Sequence, residues 1–448
     1  RTVERALQEV GLRPDARLLA LWHVCREEAD EAGVSPPVVG SFPSARREAF
    51  EALAEVRESL KPLAGGAVDD VRRLLRARRA EELYAEFVGH GERRRLGQFW
   101  TPRPIAERMV AYYEGRDSVL DVGVGGGVFL EVAGRLGFRR LVGIELSPVL
   151  VDVARCNLAP WADRVTIVWG DFLASDDPPE AGLWVSNPPY TRHHQIPPEL
   201  KEEYARGLRR HGLEVPRMSG MYVYFFAKFL AMKDRWRRAS FISPRPLYDS
   251  IHSRRIKERV KRDRALQALE VFHGQRVFED AETGPVISYL SREGGDVVVF
   301  RNIALEGGSV KVLGERAVPL RELAADLPWT NVAVAEFNAK GVRLGDLFRV
   351  VRGVETGAND YFVLSEPQAR KHGLPQAVLL PAIAKTRYCL KDAFTREDWE
   401  LLRRSGKEVY LLDLSRDLNH PAVQEYIRLG ERLGIPRRPL VKSRRAWY

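Results

Sequence analysis

Apolar positions recur along this chain in two rhythms. Before residue 91 they fall at helical spacing. Segments 44–60 and 69–88 carry Ala, Val, Leu and Phe on one face and Arg and Glu on the other. Pro36, Pro37, Pro43, Gly65 and Gly66 punctuate them. Residues 1–90 are therefore expected to be a helical segment, a support or a docking face for a partner, without a catalytic cluster. From residue 91 short runs of Val, Ile and Leu alternate with helical stretches. The runs at 118–124, 140–146, 165–169, 183–186, 239–243, 268–272 and 286–290 are predicted strands. Several are apolar throughout, as strands covered on both faces are. Such alternation folds into a mostly parallel sheet with right-handed crossovers. The stretch from Met221 to Phe229, dense in Tyr and Phe, reads as a buried helix.

The expected fold class is α/β, a Rossmann-like catalytic domain over residues 91–325. Between 293 and 340 the glycines at 294, 295, 307, 308 and 314 loosen the pattern, which reads as the exit from that domain. Residues 341–448 are expected to be a smaller mixed unit opening with a strand and turn near Gly345.

Composition narrows the classes. A chain of 448 residues exceeds one hydrophobic core, so two or three domains are expected. With 45% hydrophobic and 29% charged residues it is a folded chain rather than a disordered one. No apolar run reaches the ~18–20 residues that span a bilayer, and no signal segment opens the chain. It begins with Arg1, as a chain trimmed at its start would. Cys25, Cys156 and Cys389 are scattered and odd in number, which fits neither a disulfide framework nor a zinc site and suits a reducing cytoplasm. No metal is expected. A formal charge of +10 suits a polyanionic partner but does not by itself decide for one.

The chemistry gathers at the ends of the predicted strands. The first runs into Asp121-Val122-Gly123-Val124-Gly125-Gly126-Gly127 and then into a helix starting near Phe129. Glycines at such a turn let a ligand approach the backbone closely. The second strand ends near Glu145, at about the spacing of an acid that binds ribose hydroxyls, and the third ends in Gly170-Asp171-Phe172, an acid and an aromatic suited to an adenine ring. Val128 stands where a dinucleotide fingerprint needs its third glycine, and the turn has no lysine for a phosphate. Asp121 would repel a pyrophosphate and attract a cation. The pocket thus favours S-adenosylmethionine, with its sulfonium and ammonium, over NAD or ATP.

The fourth strand ends in Asn187-Pro188-Pro189-Tyr190. Two prolines fix their own φ angles and make a stiff ledge. The lone pair of an aromatic amine is delocalised into its ring. The Asn187 side-chain oxygen and the Pro188 carbonyl can each accept one N–H, which returns the lone pair toward nitrogen for attack on a methyl group. Tyr190 would stack on the target base.

At these residues the sequence resembles the gamma-class, Taq-type adenine-N6 DNA methyltransferases of restriction–modification systems, over residues from about 95 to 360. Leu96-Gly97-Gln98-Phe99-Trp100-Thr101-Pro102 matches the segment that precedes their glycine loop. The resemblance implies that Thr101 and Pro102 touch the methionine part of the cofactor. It also places Asp121, Gly123, Gly125, Gly127, Phe129, Glu145, Asp171, Phe172 and Asn187 around it. Val122 replaces the family's proline, which implies a local backbone change rather than loss of binding. Phe278 matches a phenylalanine that packs edge-on against a flipped adenine. Leu344–Phe348 and the stretch from Val354 to Asp360 look like the start of a target-recognition domain, shorter here than usual and so either truncated or completed by another chain. The partners implied are double-stranded DNA and a restriction or specificity subunit. Arg192, His193 and His194 after the ledge are candidates for DNA backbone contacts, as are Arg93, Arg94 and Arg95 and a basic tail from Arg437 to Arg445.

Two other functions share part of this pattern. RNA or protein-glutamine methyltransferases have a similar ledge, but usually lack the Gln98–Pro102 string and a large carboxyl-terminal domain. A DNA-binding subunit that has lost activity would not need the complete acid series. No nuclease set stands in residues 1–90, so cleavage is not expected.

Overall fold

The apolar runs become the middle of one ten-stranded sheet. The computed structural model describes residues 15–58, 67–272, 277, 284–333, 344–349, 353–389, 393–444 and 446–448. The strands are β1 (Val38–Val39), β2 (Ser118–Val122), β3 (Arg140–Glu145), β4 (Val165–Trp169), β5 (Ala181–Ser186), β6 (Trp236–Pro244), β7 (Leu266–Phe272), β8 (Pro285–Ser291), β9 (Val297–Glu306) and β10 (Ser309–Pro319). Their order is β1-β4-β3-β2-β5-β6-β8-β7-β9-β10. Pairing is parallel from β1 through β6. Strand β8 runs antiparallel between β6 and β7.

Every residue of β2 and of β5 is buried, which is why these runs are mostly apolar, with Asp121 as the buried charged exception. Alternate side chains feed two cores. Val119, Leu141 and Leu183 face one core, with α1 (Ala16–Glu31), α2 (Arg47–Glu58), α4 (Ala80–Val88), α6 (Arg103–Ala111), α7 (Val128–Arg135) and α8 (Pro148–Asn157). Leu120, Val142 and Trp184 face the other, with α9 (Pro198–Arg209), the aromatic helix α10 (Met221–Ala231) and α11 (Arg254–Asp263). Between α2 and α4 lies α3 (Ala67–Leu75), and α5 (His90–Leu96) follows α4.

The structure departs from the expected pattern in three places. Segment 293–340 does not merely loosen: β9 and β10 form a hairpin that widens the sheet. Gly307 and Gly308 both have positive φ (+56° and +76°), as a two-residue hairpin turn requires. Gly-Gly signalled a turn between strands there, not an exit. The start of the last region is a short helix, Leu344–Leu347, not a strand. The early segment is helical, but it also supplies β1. Its helices are tied to the sheet layer by Asp152, which accepts from Trp22 Nε1 (2.9 Å), Arg57 Nε (2.8 Å) and Arg155 Nη1 (2.7 Å).

Packing divides the chain into units 1–338 and 339–448. The second has its own core and a three-stranded sheet of β11 (Val363–Ser365), β13 (Glu408–Leu412) and β12 (Leu379–Pro381), in that order. Among the described residues no helix is long and apolar enough to cross a membrane.

Candidate active site

From β2 the chain fills β3 and β4 on one side, then returns to lay β5 and β6 on the other. The order reverses between β2 and β5, and the crevice at their carboxyl ends is where such sheets bind ligands. A hollow of about 680 Å³ opens there, in the size range of a small-molecule site.

The glycine turn forms its floor. Gly123 and Gly125 have φ of +83° and +54°, and Gly127 (+90°) caps α7. A Cβ on Gly126 would lie 2.8 Å from Glu81 Cβ, so a side chain there would push α4 off the loop. Glu145 holds the turn: its Oε2 accepts from Gly125 N (2.9 Å) and its Oε1 from Ser147 N (2.9 Å). Burial raises the Glu145 pKa despite these bonds. Asp171 is similarly engaged, its Oδ1 by Leu173 N (2.7 Å) and its Oδ2 by the Tyr204 hydroxyl (2.5 Å). Phe172 packs edge-on against Trp184 and Phe229 and is 2% exposed, so much of it serves the core.

Asp121 differs. It is fully buried, and neither carboxylate oxygen has a hydrogen-bond partner among the described residues. Burial first, then the neighbouring Glu145 charge, push its pKa well above the usual carboxylate value. An uncompensated acid is costly inside a protein. An ammonium brought by a ligand would offset that cost, so the residue set fits the cation-bearing cofactor inferred from the sequence.

The ledge is held by the segment before α6. Tyr190 N donates to Gly97 O (3.1 Å), and Thr191 Oγ1 donates to Leu96 O (3.3 Å). A Cβ on Gly97 would stand 2.7 Å from Tyr190 N, so only glycine permits this approach. Asn187 Nδ2 donates to both Phe99 O and Thr101 Oγ1, each at 3.0 Å. Its Oδ1 is buried without a partner among the described residues. Both amide hydrogens are thus spent on orientation, and the acceptor is left for something else. The Tyr190 ring lies 5.1 Å from that of Phe99 and 6.3 Å from that of Tyr222, and burial raises its hydroxyl pKa.

The hollow brings together Thr101, Gly123, Gly125, Phe129, Glu145, Asp171, Phe172, Asn187 and Pro189. Pro102, Asp121, Gly127, Pro188 and Tyr190 are not among the residues that line it. Arg192, His193 and His194 lie on the short turn beyond the ledge, with Arg192 and His194 exposed. Phe278 lies outside the described residues.

Several lining residues carried no sequence signal. Arg79 and Arg103 join Arg135 on Glu131, whose pKa falls to about 2: burial would raise it, but the ion pairs outweigh burial. Arg79, Glu81 and Arg46 come from a segment read as mere support, and no motif marks them. Trp100, inside the matched string, lies over the glycine turn, its Cζ3 3.2 Å from a Cβ placed on Gly125.

Comparison with known proteins gives a consistent picture. Residues 81–302 match the N-6 DNA Methylase family, and residues 331–448 match the C-terminal domain of the type II methyltransferase M.Eco57I. The chain is 27% identical over 400 residues to the type II methyltransferase M.XamI of Xanthomonas campestris pv. amaranthicola, covering 85% of this chain and 74% of that protein. It is 25% identical over 393 residues to M.AccI of Acinetobacter calcoaceticus, covering 82% and 71%. Among solved structures, the methyltransferase subunit of a type I restriction–modification system from Streptococcus thermophilus aligns at 16% identity with a TM-score of 0.40, over 59% of each chain.

Proposed function

We infer that this chain, which belongs to the N-6 DNA methylase family, transfers a methyl group from S-adenosylmethionine to the N6 amino group of an adenine flipped out of duplex DNA. The observation that carries the reading is the fixed Asn187 carboxamide. Its two donors are consumed by Phe99 and Thr101, and its oxygen is open.

The donor, when bound, supplies an electrophilic methyl group on a sulfonium. Asn187 Oδ1 accepts one N–H of the target amine and the Pro188 carbonyl accepts the other, which localises the nitrogen lone pair. These acceptors are preorganised, so little reorganisation accompanies attack. Tyr190 and Phe278 hold the base. Stacking of this kind contributes roughly 1–3 kcal/mol per base, enough to offset much of the few kcal/mol that extrusion costs. Asp121 would pair with the donor's ammonium, and Glu145 would accept hydrogen bonds from its ribose hydroxyls. Asp171 and Phe172 border its adenine, and Thr101, Pro102, Gly123, Gly125, Gly127 and Phe129 shape the remaining walls. Arg192, His193 and His194 contact phosphates beside the extruded nucleotide, a positioning role without sequence information. Residues 341–448 read the DNA sequence as a target-recognition domain; they fall within the stretch similar to the C-terminal domain of a type II methyltransferase. A restriction or specificity subunit is a further partner.

Labelled methyl transfer to duplex DNA, RNA and protein in parallel tests this reading. Label is expected in DNA alone, as N6-methyladenine. Label in RNA or protein would assign the ledge to another amine or amide. Cofactor binding without turnover on any DNA would make the chain an inactive subunit.

A further inference from the structure

The segment before α2 crosses the carboxyl edge of the sheet as a strap. Val38 and Val39 pair with Val168 and Trp169 of β4. Gly40 N donates to Trp169 O (2.9 Å), and Asp171 N donates to Ser41 O (2.7 Å). The approach is close enough that a Cβ on Gly170 would sit 3.1 Å from Ser41 O, and one on Gly40 2.7 Å from Val168 Cγ1. Phe42 stacks on Phe50 at 4.1 Å and meets Trp169 edge-on at 5.5 Å. Ser44 N and Oγ then donate to the Glu203 carboxylate at 2.9 and 3.0 Å. These anchors carry Arg46 to the wall of the hollow.

Four arginines line that hollow. Arg79, Arg95 and Arg103 are paired with glutamates. The Arg46 guanidinium makes no hydrogen bond or ion pair among the described residues. The hydrogen bonds that tie the strap to Trp169, Asp171 and Glu203 place it at the β4 end of the hollow. Strand order says what lies there. Asn187 follows β5 and Asp171 follows β4, with β2 and β3 between them. That is three inter-strand spacings of about 4.8 Å, or roughly 14 Å. A donor whose methyl group faces Asn187 and whose ribose meets Glu145 at β3 brings its adenine to β4.

We propose that Arg46 is a cofactor-binding residue whose planar guanidinium lies over the donor's adenine ring at the β4 end of the hollow. The contact is a stacked cation on an aromatic face, for which arginine suits better than lysine. The inference rests on the reading that the hollow holds S-adenosylmethionine.

Calorimetry with S-adenosylhomocysteine and with adenosine alone tests it. Arg46→Ala should weaken both by at least fivefold at an unchanged melting temperature of the free protein, and Arg46→Lys should recover only part. Affinity for a DNA duplex without cofactor should not move. Unaltered S-adenosylhomocysteine binding in Arg46→Ala would overturn the proposal, and so would a loss confined to DNA affinity, which would make Arg46 a phosphate contact. Failure of the unsubstituted protein to bind S-adenosylhomocysteine would instead sink the donor reading and this inference with it.

Discussion

The two ends of the hollow are built on opposite plans. At the β3–β4 end the acids are already satisfied: Glu145 by two backbone N–H groups, Asp171 by Leu173 N and the Tyr204 hydroxyl. At the β2–β5 end Asp121 has no partner and the Asn187 oxygen has none, among the described residues. Buried polar groups are nearly always hydrogen-bonded, so an exception calls for a partner that arrives later. The satisfied acids shape a wall before any ligand enters. On the proposed reading, ligand charge lands on Asp121 and a ligand N–H on Asn187. Substitutions of Asp121 and Asn187 should therefore cost chemistry and affinity, and those of the satisfied acids Glu145 and Asp171 should cost local structure first.

The largest effect is expected at Asn187. Asn187→Ala removes the acceptor and leaves the glycine turn and Glu145 in place. Single preorganised electrostatic groups typically contribute about 10²–10³ in kcat, and transfer should fall at least that far. S-adenosylhomocysteine affinity should stay within about threefold. Single-turnover methylation beside calorimetry separates the two, and turnover equal to the unsubstituted protein would remove Asn187 from the reaction.

Asp121 comes next, and its effect has a sign in pH. Its pKa is raised in the ligand-free fold. A carboxyl whose folded pKa lies above its unfolded value stabilises the protein below the unfolded pKa, and that stability is lost as pH rises through the folded pKa. An ammonium ligand pulls the pKa back down, so cofactor affinity should rise as pH rises through the elevated value. The gain in melting temperature on adding S-adenosylhomocysteine should grow over the same window. Asp121→Asn should flatten both curves and weaken binding by about tenfold, the order of a hydrogen bond to a charged group. A slope that survives the substitution would assign the titration to another acid.

The same contrast explains what the sequence could reveal. The runs at 118–124 and 183–186 announced their strands because burial on both faces leaves mostly apolar residues, and the glycine turn and the ledge announced themselves through the backbone freedom of glycine and the restraint of proline. The β9–β10 hairpin did not. Its strands are half exposed, and Gly307-Gly308 serves a turn as readily as a domain exit. Gln98–Pro102 was legible as a string, but not its task of consuming the Asn187 donors, since that pairing joins residues 88 and 86 positions apart. Arg46 left no trace, because a lone arginine on a strap differs in sequence from no other arginine. Its place depends on backbone contacts between Ser41 and Asp171 that carry no side-chain code.

The smallest effect sharpens the comparison most, because it leaves the Asn187 carboxamide and Asp121 themselves intact. Thr101→Val keeps the shape of a residue that is 8% exposed and removes only the hydroxyl that accepts from Asn187 Nδ2. One of the two anchors is lost, and the amide still reaches Phe99 O. A buried donor left unsatisfied costs about 1–3 kcal/mol, but part of that is relieved when the carboxamide rotates. That rotation turns its oxygen away from the target amine. A five- to tenfold fall in kcat is expected, with a KM for the donor changed by less than twofold, and Thr101→Ser should restore turnover. Because Thr101 acts through Asn187, the two substitutions should not add: in an Asn187→Ala background Thr101→Val should cost nothing further. Additive losses would mean that Thr101 meets the donor directly, and the open end of the hollow would then be formed by three groups instead of two.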